Sequence, residues 1–300
     1  MSTLFAFPKL TLAVYCLAAF LAAVGGGWLP LLVRLTHTRL QLAVSFVAGL
    51  MLGLAFLGLL PHAALELGSV EKSAAWLMAG FLAMFILQRF LPFHHHDVEE
   101  GQPVAVCGHA HAPGEMHGHV STTPLGWASV ALGLSLHSIF DGLALAAAVM
   151  AVAGGYSTAL GLGTALAVIL HKPFSALAIT TLMAAGHAKR QWVMLVNVGF
   201  GLVTPVGALL FFMGGERLAH MHPAWLGLAL AFCAGTFLCI ACADLLPELH
   251  FHSHDRVLLS LALLLGLGAA IAINHFGHVD PAHEPAGPGA VHARPHAHPH

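Results

Sequence analysis

The chain has 300 residues, of which 58% are hydrophobic and only 8% are charged, and its mean hydropathy is +0.83. Because soluble domains carry about 25% charged residues, this composition excludes an ordinary soluble enzyme. The net charge of −2, with histidine counted as neutral, gives no indication of a nucleic-acid partner. The five cysteines are scattered and too few for a disulfide scaffold.

Eight apolar segments, each long enough to cross a bilayer, predict eight transmembrane helices. The first is longer than the core of a signal peptide and lacks a clear small-residue cleavage site, so we expect it to be retained. The sequence therefore predicts an all-α, polytopic protein embedded in a lipid bilayer. The predicted spans are 10–33, 40–66, 73–92, 124–152, 157–185, 191–213, 223–248 and 256–276.

Two polar, histidine-rich stretches lie outside the predicted spans, one between the third and fourth spans and one after the eighth. Residues 93–123 contain HHHD, HAH and HGH, and residues 277–300 end in HAHPH. Neither stretch has enough apolar residues to fold alone, so both are expected to be disordered. Residues 1–92 then hold spans one to three, and residues 124–276 hold spans four to eight. By composition the loop 93–123 binds metal loosely, or it serves only as a linker.

Lysine and arginine residues indicate how the spans are oriented. An even number of spans places both termini on one side of the membrane. By the positive-inside rule we expect the termini outside the cytoplasm and the histidine-rich loop inside it. The short loops and the Ala/Leu-rich composition suggest a bacterial inner membrane. The cytoplasmic side then holds Arg34, Arg39, Arg89, Lys189, Arg190 and Arg256, and the outer side holds Lys9, Lys72, Arg217 and Arg294.

Two segments of the chain resemble each other. AGLMLGLAFLGLLP (48–61) and AGTFLCIACADLLP (234–247) share AG and LLP at equal spacing. Chance is an alternative explanation, because Leu and Ala dominate both. One segment lies in the second span and the other in the seventh, so they cross the membrane in opposite directions. They indicate an inverted repeat of spans 1–3 and 6–8 around spans 4–5, a transporter feature with the substrate site near the midplane.

The fourth span, LSLHSIFDGLAL, places His137 and Asp141 four residues apart and thus on one helix face. His171 of the fifth span lies at the same predicted depth, since all three are about 20–25 Å from the turn at Gly154 and Gly155. A carboxylate in mid-membrane costs about 2.5–3.5 kcal/mol on insertion scales, so it should face a partner or a water-filled path. Two imidazoles and a carboxylate suit a divalent ion such as Zn²⁺.

Neighbouring residues allow other interpretations of this cluster. A lone buried histidine is usually a hydrogen-bonded packing residue, and Asp141 can simply pair with Lys172. Ser175, four residues after His171, can hold a water or offer a weak oxygen ligand. We favour a metal site, because clusters of ionisable residues inside a membrane usually mark ion or substrate paths.

HSIFDGLAL, followed by a short turn and HKPFSALA, resembles the paired central helices of the ZIP (Zrt/Irt-like) family of divalent-metal transporters. LVTPVGALL in the sixth span and ADLLPE in the seventh are also similar to that family. The resemblance implies uptake of Zn²⁺, or of Cd²⁺, Fe²⁺ or Mn²⁺, into the cytosol by alternating access. A homodimer is compatible with such a chain.

The resemblance also implies roles for particular residues. His137 and Asp141 match the metal-binding pair of the fourth helix, and His171 matches the first ligand of the fifth helix. Met51, on the second helix, matches a position that lines the site in some members. Ser175 stands where many members carry a Glu or His ligand.

Three residues depart from the pattern of members that bind two metals. Ser138 and Lys172 stand where those members have further ligands, and Thr204 fills the carboxylate position of the sixth helix. A charged lysine has no lone pair and repels a second cation a few ångströms away. We therefore predict one transported metal, with Lys172 replacing the second ion and balancing Asp141. The alternative is a lysine that snorkels to the interface.

Further ligands lie near the ends of two spans. Asp244 and Glu248 share a face of the seventh span, and histidines follow, so this chain of ligands could carry an ion off the site. His62 and Glu66, at the outer end of the second span, could form the entrance. The Asp244 and Glu248 set could equally be a solvated helix end. The histidines that follow Asp244 and Glu248 in the chain are His250 and His252.

A protein of another class, an intramembrane zinc hydrolase, could use the same His, Asp and His around an activated water. Such an enzyme needs a general acid or base and an oxyanion donor near the metal. Ser138 and Ser175 have no base beside them except the metal ligands. We therefore predict a transporter and not an enzyme, with a metal sensor lacking net transport as a third possibility.

Overall fold

The computed structural model describes residues 8–32, 37–90, 124–221, 224–245 and 256–276, and these ranges are almost entirely helical. Eight helices in them are long and apolar enough to cross a membrane, which confirms the predicted all-α polytopic fold. We number the helices α1 to α8. They are α1 Pro8–Leu32, α2 His37–Gly53 continuing through Leu54–Leu59 and Leu60–Leu67, α3 Val70–Phe90, α4 Pro124–Ala153, α5 Thr158–Ala185, α6 Arg190–Met221, α7 Trp225–Cys239 continuing through Ile240–Leu245, and α8 Arg256–Phe276.

Helix α6 is the element that differs most from its predicted bounds. The predicted sixth span ends at residue 213, whereas the helix continues to Met221. The apolar pattern reports the part of a helix that suits lipid, and a helix can extend beyond it with polar residues. The histidine-rich loop 93–123 and the tail 277–300 lie outside the described residues.

The helices pack as two bundles. Helices α1, α4, α5 and α6 pack mainly on one another, and α2, α3, α7 and α8 form the second group. Within the first group the most extensive pairs are α1 with α5 and α4 with α6. Within the second they are α2 with α8 and α3 with α7. Exchanging helices 1, 2 and 3 for 6, 7 and 8, and 4 for 5, converts each pair into the other, as an internal repeat requires.

The repeat is also seen in the glycines that let one helix approach the backbone of another. A Cβ atom at Gly49 of α2 would collide with the carbonyl oxygen of Leu263 in α8. A Cβ atom at Gly235 of α7 would collide with the carbonyl oxygen of Leu77 in α3. The same spacing along the chain separates the two glycines and the two leucines. Small residues at such crossings let membrane helices approach closely.

A second pair of glycines obeys the same relation. A Cβ atom at Gly80 of α3 would collide with the backbone of Phe232, and one at Gly266 of α8 with the backbone of Phe46. The π-helical segments Leu54–Leu59 and Ile240–Leu245 also occupy equivalent positions of the two similar sequences. Together these features confirm the predicted repeat of helices 1–3 and 6–8 around α4 and α5.

Candidate metal centre

Helices α4 and α5 bring together, in the buried interior, three side chains of the types that ligate metal ions. One ligand atom each from His137, Asp141 and His171 lies within 4.8 Å of the others. His171 Nε2 is 3.2 Å and His137 Nε2 is 3.4 Å from Asp141 Oδ2, and the two Nε2 atoms are 3.5 Å apart. The side chains are 2%, 1% and 3% exposed in chain order.

The local fold explains why these residues meet. His137 and Asp141 are one helical turn apart on α4, so both point to the same side. The short turn between α4 and α5 makes the two helices antiparallel neighbours, which brings His171 to the same level. His171 Nδ1 donates a hydrogen bond of 2.8 Å to the carbonyl of Ala167, one turn earlier on α5. In the neutral ring Nε2 therefore carries a lone pair toward Asp141.

The resulting cluster holds several acceptor atoms whose lone pairs have few hydrogen-bond donors. Asp141 Oδ1 and His137 Nδ1 are buried and have no hydrogen-bond partner among the residues that the structure describes. With a neutral His171, two acceptors face each other at 3.2 Å, an arrangement that a cation between them relieves. Two imidazole nitrogens and a carboxylate oxygen are the ligand types of Zn²⁺, and three protein ligands leave a fourth position open.

Lys172 lies directly beside the cluster and is fully buried. Its Nζ donates hydrogen bonds of 2.6 Å to Asp141 Oδ2 and 2.7 Å to Ser138 Oγ. The Ser138 hydroxyl in turn donates to the carbonyl of Leu134 at 2.8 Å. A buried ammonium needs such partners, because removing it from water costs several kcal/mol. Lys172 is thus paired with Asp141 and does not snorkel to an interface.

Phe200 of α6 completes the surroundings of Lys172, with Nζ 5.4 Å from the centre of its ring. A cation at this distance is attracted to the negative face of the ring. Sequence reasoning missed Phe200, because an aromatic residue in an apolar helix is indistinguishable from ordinary packing. Only the packing of α6 against the α4–α5 pair reveals its role.

The remaining predicted site residues lie on α2, α5 and α6. Met51 is buried in the core on α2, and Ser175 is half-buried one turn beyond His171. Thr204 of α6 is buried, and its carbonyl oxygen packs against the backbone of Gly142, the residue after Asp141.

The predicted entrance residues lie at the end of α2, beside the α4–α5 turn. Tyr156 of that turn donates a hydrogen bond to Glu66 Oε2, and its ring lies 5.5 Å from that of His62. This bond raises the pKa of Tyr156 to about 12, with a smaller contribution from partial burial. Sequence reasoning did not single out Tyr156. On the predicted exit side, the backbone of Asp244 is helical, while Glu248, His250 and His252 lie outside the described residues.

Comparisons with known proteins agree with this chemistry. Residues 94–274 match the family model described as ZIP Zinc transporter. The zinc transporter ZIP9 of Micropogonias undulatus is 25% identical over 293 residues, which cover 82% of this chain and 87% of that protein. The zinc transporter ZIP1 of Bos taurus is 26% identical, with 76% and 75% covered.

A shorter match has a higher sequence identity. The zinc transporter ZIP1 of Homo sapiens is 30% identical over 133 residues, covering 44% of this chain and 39% of that protein. These relatives are transporters by name, which confirms the prediction that the chain is not an enzyme. Since the family model spans more than half of the sequence, this multi-pass membrane protein belongs to the ZIP family of zinc transporters.

Proposed function

We propose that this chain carries Zn²⁺ into the cytosol by alternating access through a single site formed by His137, Asp141 and His171. The observation that carries the proposal is the convergence of these three ligands within 4.8 Å, buried between α4 and α5. The internal repeat supports the mechanism, since repeats around a central site are typical of secondary transporters. Cd²⁺, Fe²⁺ and Mn²⁺ are alternative cargo, since all accept these ligand types.

Lys172 supports the proposal of one metal ion and not two. Its ammonium, 2.6 Å from Asp141 Oδ2, occupies the side of the carboxylate where a second ion would bind. A unit positive charge there repels a divalent cation at short range, because the interior screens charge poorly. By the family resemblance, Ser138 and Thr204 also stand where members that bind two metals have further ligands. We infer that Lys172 keeps the empty site electrically balanced, while the Asp141 carboxylate remains available to the transported ion.

The other predicted residues have roles along the path. We infer that Met51 and Ser175 line the site, and that His62 and Glu66 receive the ion at the entrance. Asp244, Glu248, His250 and His252 would lead it away on the cytoplasmic side. We infer that the protein lies in a bacterial inner membrane with both termini outside the cytoplasm. We infer that the loop 93–123 is a peripheral segment that binds metal loosely. A homodimer is compatible with this assignment.

The hydrolase alternative is not supported. The relatives are named as transporters, and no second observation favours hydrolysis. The Ser138 hydroxyl beside the cluster is occupied by Lys172 and the Leu134 carbonyl.

The experiment is zinc influx into proteoliposomes that contain the purified protein. Wild type is compared with His171→Asn and with the control His187→Asn. His187 is exposed in the α5–α6 connection with φ of 54°, a conformation that asparagine tolerates. We expect influx in wild type and the control and none in His171→Asn. Equal influx in all three would show that zinc does not pass through this site.

A further inference from the structure

A side-chain hydrogen bond joins the two helix bundles at the end that carries the α4–α5 turn. The hydroxyl of Tyr156 in that turn donates to Glu66 Oε2 at the end of α2. Tyr156 connects two helices of the first bundle, whereas α2 belongs to the second. Any movement that separates the bundles at this end must break the bond.

The turn holds Tyr156 in a defined position. Gly155 has φ of 102°, which residues with a side chain rarely adopt, and it reverses the chain after α4. The amide of Tyr156 donates to the carbonyl of Ala151 at 3.1 Å. Ser157 caps α5 by accepting a hydrogen bond from the amide of Ala159 at 3.2 Å. Tyr156 therefore lies between two anchored helix ends.

Its partner Glu66 belongs to a pair with metal-ligand chemistry. His62 and Glu66 are one turn apart on α2, so they share a face. His62 Nδ1 donates to the carbonyl of Gly58 at 2.7 Å, which leaves the lone pair of the neutral ring on Nε2. The His62 ring stands edge to face with that of Tyr156. An imidazole nitrogen and a carboxylate at this spacing suit a divalent cation.

Tyr156 acts at neutral pH only as a hydrogen-bond donor. The carboxylate of Glu66 raises the pKa of Tyr156 to about 12, so the phenol keeps its proton. A cation that binds the same carboxylate competes with this donor. The aliphatic part of the Glu66 side chain also packs against Gly227 of α7, so Glu66 lies where α2 and α7 meet.

We propose that Tyr156 is a gating residue for transport: its bond to Glu66 closes the entrance, and a divalent cation bound by Glu66 and His62 displaces it. The proposal rests on the proposed function and adds to it how arrival of the ion is coupled to opening. Only a hydrogen bond is exchanged for metal coordination, and no covalent bond changes. Because the arriving ion has to displace Tyr156 from Glu66 before it can pass, the bond raises the apparent KM of influx.

The main test is the KM of zinc influx in proteoliposomes. Tyr156→Phe keeps the ring contact with His62 and removes only the donor. We expect its KM to fall about three- to tenfold, in line with the strength of a hydrogen bond to a charged group. Tyr15→Phe, the same change at the only other tyrosine of the sequence, is the control and should leave KM unchanged.

A double-mutant cycle ties the effect to Glu66. In a Glu66→Ala background the acceptor is absent, so adding Tyr156→Phe should change KM by less than about twofold. Equal shifts in both backgrounds, or an unchanged KM in Tyr156→Phe alone, would overturn the gating role.

A second measurement does not depend on transport. Hydrogen exchange of the turn amides at residues 154–157 should speed up when Zn²⁺ is added to wild type, because the turn loses its anchor. The increase should be absent from the His62→Asn/Glu66→Ala variant. If wild type imports no zinc, the proposed function is wrong, and the exchange result still decides the gate. No zinc-dependent change in wild type would refute it.

Discussion

Lys172 Nζ lies 2.6 Å from Asp141 Oδ2, and neither side chain is more than 1% exposed. Two imidazoles, those of His137 and His171, lie beside this pair, and their Nε2 atoms face the same carboxylate. The charge of Asp141 is therefore balanced before any ion arrives. This explains how the interior of a membrane protein can hold a charged carboxylate at tolerable cost.

Replacing Lys172 with methionine tests this balance. Lys172→Met keeps the length of the side chain and leaves Asp141 buried without its partner, which should reduce stability by about 3–5 kcal/mol. Zinc should then restore more stability than it adds to wild type, because it becomes the only counter-charge. Thermal unfolding with and without Zn²⁺ measures both effects. An equal zinc-induced shift of Tm in the two proteins would contradict the proposed balance.

Replacing Lys172 with glutamate tests the number of metal ions. Lys172→Glu exchanges the repelling ammonium for a ligand beside Asp141, so the variant should bind about one more Zn²⁺ per chain than wild type. Elemental analysis of protein purified with zinc compares the two, and metal in the histidine-rich segments cancels in the difference. An unchanged zinc content would mean that Lys172 is not what excludes a second ion.

Phe200 should stabilise Lys172 through its ring. Phe200→Leu keeps an apolar side chain and removes the aromatic face, so we expect a loss of about 0.5–2 kcal/mol. In the Lys172→Met background the same change should cost less, because no cation remains to be attracted. Unfolding of the four proteins of this cycle gives the coupling energy. Additive losses would exclude the cation–π contribution.

The glycine contacts test the internal repeat. Gly49→Ala and Gly235→Ala each place a methyl group against the backbone of a neighbouring helix, and each should cost about 1–3 kcal/mol. Gly268→Ala in α8, where the added Cβ atom would meet no neighbouring helix within 4 Å, is the control and should be neutral or slightly stabilising. Thermal unfolding compares the three. A large loss in only one of the two repeat-related variants would show that the crossings are not equivalent.

The convergence of His137, Asp141 and His171 could be predicted from the sequence because its geometry is local. His137 and Asp141 are one helical turn apart, and His171 is reached through a single short turn, so helix rise alone sets their depth. The same holds for Lys172, which follows His171 directly. Turn geometry and periodicity were sufficient for these four residues.

Other features depend on packing between distant parts of the chain. Tyr156 and Glu66 are 90 residues apart, and their bond exists only because α2 ends beside the α4–α5 turn. The π-helical segments Leu54–Leu59 and Ile240–Leu245 differ from an α-helix by little in the spacing of apolar residues, so the pattern does not reveal them. Phe200 likewise required the position of α6.

The most direct measurement is radiotracer zinc influx by a variant that removes the anionic ligand without leaving a buried charge. Asp141→Asn/Lys172→Gln replaces the ion pair with two amides, and its fold is checked by thermal unfolding. We predict a folded protein that takes up no zinc, beside wild type and Gly268→Ala, which do. Uptake by the double variant at the wild-type rate would contradict the claim that zinc crosses the membrane through the His137, Asp141 and His171 site.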